Sequence, residues 1–90
     1  MTGELAGWTR GAADAWQRTL HGLVLRVWPD SDDDEEPWTW EVLQPADDDP
    51  AAEYEIGLGG AETREAAMAR AEAAARAEAA ARARHQQAGH

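Results

Sequence analysis

Along the middle of the chain, apolar and polar positions alternate, and then the period changes. Four segments carry the period of two that strands require: "AWQRTL" (15–20), "LVLRVW" (23–28), "WTWEVL" (38–43) and "EYEIGL" (53–58). From Ala61 to Arg84 the composition turns to alanine, glutamate and arginine, all strong helix formers. The pattern predicts an α+β fold: an antiparallel β-meander of three to four strands with one long C-terminal helix packed on one face. Ninety residues form a single domain. Its parts are a loose N-terminal arm (1–14), the meander (15–58), the alanine-rich helix (61–84) and a frayed tail (85–90). The arm, "MTGELAGWTRGAAD", shows no firm period and is at most a short edge strand or helical turn.

The alternation also assigns faces. His21-Gly22 between two apolar runs reads as a tight hairpin turn that sets Leu20 against Leu23. Leu23, Leu25 and Val27 share one face, and Val24, Arg26 and Trp28 share the other. In the next two strands Trp38, Trp40, Val42, Tyr54, Ile56 and Leu58 point inward, and Thr39, Glu41 and Leu43 point outward. If Trp16 and Leu20 face the core, Arg18 does too, and an edge strand with a snorkelling arginine stem tolerates that.

The helix follows a glycine-rich break, "GLGGAE", with Thr63 as N-cap and Glu65 in the first turn, where the helix dipole favours an acid. Glu72–Arg76 and Glu78–Arg82 have (i, i+4) spacing. Ala67, Met68, Ala71, Ala74 and Ala75 form one narrow apolar face. Glu78 falls in the middle of that face, so apolar packing fades after Ala75. A helix of this length reaches about 36 Å against about 20 Å for a six-residue strand, so its last turns overhang the sheet. The overhang 76–84 offers small residues to a second copy, but its charges spiral around the helix, which favours a monomer.

Charge sharpens the picture. The net charge is −10, and it is unevenly placed: residues 1–60 hold fourteen acids and three arginines, residues 61–90 four acids and five arginines. Lysine is absent. A surface this acidic opposes binding to nucleic acid, which needs cations to replace phosphate counterions, and it repels anionic membranes. It attracts a basic protein surface instead. The absence of cysteine removes thiolate chemistry and suits a reducing compartment. No apolar run is long enough for a membrane helix and no signal-peptide pattern opens the chain, so the expected location is the cytoplasm.

Candidate chemistry is sparse. "DSDDDEE" (30–36) puts Asp30, Asp32 and Asp34 at calcium-loop spacing with Glu41 at the twelfth position. The sixth position is Glu35, where that loop needs glycine, and Pro37 interrupts it. Weak divalent-metal binding is therefore a minor alternative, and no cofactor or metal site is expected. "GLGG" before the helix resembles a phosphate-binding turn, but Glu62 and Glu65 occupy the place an anion needs. No nucleophile–base pair is visible, and the carboxylates cluster in open loops where water keeps their acidity ordinary. The chain reads as a non-enzyme.

What remains is a recognition surface. The loops 29–37 and 44–52 lie at opposite ends of a meander, with Glu41, Glu53 and Glu55 between them on the helix-free face. The expected partner-binding residues are Asp30, Asp32, Asp33, Asp34, Glu35, Glu36, Glu41, Asp47, Asp48, Asp49, Glu53, Glu55 and, as an aromatic hot spot, Trp28. Arg26 interrupts the acidic run by pairing with Glu41. The helix carries its arginines to the other face, giving an electrically two-sided molecule.

The pattern "AWQRTLHGLVLRVWP…WTWEV…YEIGLGGAETREAAMARAEAA", over about residues 15–80, resembles the short β-meander-plus-helix proteins of phage and mobile elements. Among them the acidic members resemble anti-CRISPR and anti-restriction inhibitors. That resemblance implies a DNA mimic occupying the basic surface of a DNA-binding protein or CRISPR effector. The final strand and helix are also similar to HicB-type antitoxins, which implies, as the alternative, an antitoxin or accessory module for a small basic partner.

Overall fold

The computed structural model describes residues 7–30, 35–46, 48 and 52–88. Five strands form one antiparallel sheet in sequence order: β1 (Thr9–Arg10), β2 (Trp16–Leu20), β3 (Leu23–Pro29), β4 (Trp38–Pro45) and β5 (Glu53–Ala61). One helix, α1 (Arg64–Ala88), packs mainly across β3 and β4. The result is the α+β meander with a single helical layer that the alternation predicts.

The β2–β3 hairpin turns at His21 and Gly22, whose φ angles are +54° and +77°. Positive φ at both central positions matches the twist of the flanking strands and pairs Leu20 with Leu23. Thr63 caps α1: its Oγ1 accepts from the Ala66 N–H at 3.0 Å and its carbonyl accepts from Ala67. The core lies between the helix and β3–β4. Leu23, Leu25, Val27 and Val42 are fully buried against Ala67, Met68, Ala71 and Ala75. Alanine lets the helix come close, and Trp16, Trp38 and Trp40 supply the volume that alanine lacks.

Several expectations need correction. Over 7–14 the arm is not loose but takes the short edge strand and helical turn that the sequence allowed. It contributes the fifth strand, β1, paired with Gln17 and Trp16, and Trp8 is part of the core. The link to β2 is a tight turn, with Ala13 and Asp14 at φ of 58° and 60° and Arg10 paired to Asp14. "GLGG" is not a break between elements. Gly57, Gly59 and Gly60 belong to β5: the Trp40 indole lies where side chains on Gly57 and Gly59 would stand, and Glu36 lies where one on Gly60 would. A Cβ on Gly59 would meet that ring at 2.8 Å, and one on Gly57 at 3.1 Å. The helix consequently begins at Arg64 rather than Ala61, and it runs on to Ala88 rather than fraying at residue 85.

Tyr54 and Leu58 do not point into the core: they are 61% and 55% exposed. Leu58 pairs with Glu41 and so lies on the open face. A bulge between Val42 and Leu43 leaves Ile56 as the extra residue of β5 and breaks the alternation on which the inward reading relied. Leu43, expected outward, is on the open face and yet buried. Arg18 does not snorkel to solvent. It pairs with Glu72 of α1, which the spacing had matched to Arg76. Among the described side chains of α1 full apolar burial does end at Ala75, but contact with the sheet continues beyond it, because Arg82 bonds both Glu78 and Gln44 of β4. Among the described residues, no helix is long and apolar enough to cross a membrane.

Candidate functional site

With helix α1 on one side only, the other face of the sheet has no second layer among the described elements. Strand register places its residues. Gln17, Arg26, Glu41 and Leu58 form one row across β2–β5, and Thr19, Val24, Leu43 and Glu55 form the next. Trp28, half-buried, stands opposite Thr39 on the same face.

Arg26 is the hub of this face. Its guanidinium lies 3.7 Å from Glu41 and 3.6 Å from Glu53, and its Nε donates to Gln17 Oε1 at 3.3 Å. One cation thus serves several carboxylates. Burial pushes the Glu41 carboxyl above its ordinary range. Arg26 pulls it back down, while the negative charges of Glu55 and then Glu53 push it further up. The Arg26–Glu41 pair and the grouping of Glu41, Glu53 and Glu55 are as the sequence predicts.

The remaining acids are more dispersed. The Asp30 N–H donates to the Pro37 carbonyl at 2.5 Å and closes the neck of the β3–β4 loop, while Asp30 Oδ2 accepts from Thr39 at 3.4 Å. Glu35 is exposed. Glu36 folds over Gly60 and pairs with Arg70 of α1 at 3.5 Å, tying the loop to the helix. Asp48 is exposed in the β4–β5 connection, at the other end of the sheet. Asp32, Asp33, Asp34, Asp47 and Asp49 lie outside the described residues.

Sequence reasoning missed a second charged cluster, on the helix side. The Glu72 Oε2 accepts from Trp8 Nε1 at 2.8 Å and from Arg18 at 2.5 Å, pinning β1 and β2 to α1. The signal was present in Arg18, a charge on an inward-facing row that needed a carboxylate opposite. Arg64 lies 4.9 Å from the centre of the Trp16 ring and closes the same edge. An open hollow of about 750 Å³ runs along β1 and β2, lined by Arg10, Trp16, Arg18 and Arg26 among others. All three arginines are already paired with acids, so the hollow presents little net positive charge.

Among the described residues, no group of three or more His, Asp or Glu side chains is arranged to hold a metal. No protein-family model, curated protein or solved structure matches the chain.

Proposed function

We propose that this is a non-enzymatic, cytoplasmic acidic protein whose open sheet face docks on a basic protein surface of the kind that holds nucleic-acid phosphates. The carrying observation is Arg26 flanked by Glu41 and Glu53, with Glu55 close enough to Glu41 to repel it, on a face that has no other cation from the strands and no second layer among the described residues. Excess carboxylate held on a rigid sheet offers negative charge at fixed positions, as a phosphate backbone does. Half-buried Trp28 and exposed Leu58 supply apolar contact beside it. A CRISPR effector subunit is one such basic surface.

The test is competition. Purified nucleic-acid-binding proteins, a CRISPR effector among them, are loaded with labelled duplex DNA and titrated with the protein. Displacement that weakens steeply as salt rises supports the reading. The triple variant Glu41→Gln, Glu53→Gln, Glu55→Gln is expected to displace at least about tenfold less well, since a rim charge contributes up to roughly 1 kcal/mol. Displacement unchanged by that variant would remove this face from the contact.

A further inference from the structure

Strand β5 ends the sheet. Among the described residues no strand pairs with its outer edge, and an edge strand presents backbone N–H and C=O groups to any extended chain that fits. The pairing shows which groups these are. Arg70 of α1 donates to the Gly60 carbonyl, so that carbonyl points away from β4. Outward and inward groups alternate along an antiparallel strand, and Leu58, two residues earlier, therefore shares the outward phase. At Gly60 the edge is already occupied by Arg70 and overlaid by Glu36. From Leu58 back to Glu53 none of the described hydrogen bonds or ion pairs covers it in this way.

The two sides of that open stretch differ. Glu53 and Glu55 stand on the open face, Glu53 paired with Arg26, and Leu58 is exposed on the same face. On the helix side Gly57 and Gly59 carry no side chains, and the floor there is the Trp40 indole with Ala74 next to it. A strand laid along β5 would meet carboxylates with alternate residues and a shallow apolar floor with the others.

We propose that an extended basic segment of the partner adds to β5 as a sixth strand, with lysine or arginine facing Glu53 and Glu55 and small apolar residues over Gly57 and Gly59. The inference rests on the reading of a basic partner and specifies how that partner is held. Charge chooses the occupant: a second copy of β5 would bring its own Glu53 and Glu55 on a chain of net charge −10. The bulge at Ile56 bends the edge, so the added segment is a short one.

The test uses a short peptide of alternating lysine and valine and a counterpart of alternating lysine and proline. Both carry the same charge, but proline cannot donate the ladder hydrogen bonds. The expected result is that the valine peptide binds, slows hydrogen exchange at the Leu58 amide and weakens with salt, while the proline peptide binds at least about tenfold less well. Leu58→Pro removes an outward donor and is expected to weaken the valine peptide similarly. Equal binding of the two peptides to the unmodified protein would overturn strand addition and leave charge docking standing, and this comparison does not depend on the variant's folding. If neither peptide binds, both the edge and the basic-partner reading fall. Valine-peptide binding insensitive to salt and to Glu53→Gln with Glu55→Gln would also overturn the proposal.

Discussion

On the helix side of the sheet Leu23, Leu25, Val27 and Val42 are fully buried, and Arg18 of β2 is matched by Glu72. On the open side Arg26 is spread over Glu41, Glu53 and Gln17, and Leu58 is left 55% exposed. Both faces come from the same strands with the same alternation, so the difference is not one of propensity. The helix removes water from one face, and there a group without an apolar or paired partner carries a cost. On the other face water satisfies whatever the fold does not, and charge can accumulate. The covered face holds the molecule together, and the open face is where surplus chemistry is affordable.

Substitutions on the two faces are expected to differ in cost. Leu25→Ala leaves a cavity under α1 and is expected to cost about 3 kcal/mol of unfolding free energy in urea denaturation. Leu58→Ala is expected to cost about 0.5 kcal/mol or less. Equal losses would mean that the open face is also core. The next effect in size belongs to Glu72→Ala, which strips the acceptor from Trp8 and Arg18 at a part-buried site and should cost about 2 kcal/mol. Glu78→Ala, whose partner Arg82 is more exposed, should cost about 0.5 kcal/mol. Gly59→Ala drives a methyl into the Trp40 ring and should cost about 1.5 kcal/mol with a change in tryptophan emission.

The smallest effects are electrostatic and have opposite signs. Glu41 titrates above its ordinary range in the fold, so the folded chain holds the extra proton. Stability then falls as pH rises through the window between the ordinary and the raised value. Glu41→Gln should gain on the unmodified protein above that window and match it below. Glu65 is held below its ordinary range by its own backbone N–H and then by Arg64. Its contribution is present above the ordinary value and is lost as pH falls through the folded one. Glu65→Gln should therefore be the less stable protein at neutral pH and indistinguishable in acid. Thermal melts at stepped pH read both.

Much of the architecture was legible. The hairpin at His21-Gly22, the Thr63 cap, the inward rows of β3 and β4 and the fading of apolar packing after Ala75 all follow from local chemistry that neighbouring residues display. The Arg26–Glu41 pair was legible because consecutive meander strands pair in a register that the alternation fixes. β1 was not: two strand residues leave no period, and what secures Trp8 is Glu72, 64 residues away. Leu58 was misplaced because a bulge shifts phase without leaving a mark in the pattern of apolar positions, whereas Tyr54 keeps the helix-side row of Gln44 and is exposed there.

The sequence by itself determined an α+β meander with one alanine-rich helix, its hairpin turn and helix cap, and a strong surplus of acid, because these depend on spacing and composition within a few residues. Only the tertiary structure decided that "GLGG" is strand rather than turn, since the ring of Trp40 lies across Gly57 and Gly59 and Glu36 lies over Gly60. It likewise decided that Glu36 goes to Arg70 and Glu72 to Arg18, and that Glu53 joins Glu41 at Arg26. Which carboxylate meets which cation depends on where distant segments are brought together, and that is settled by packing, not by order along the chain.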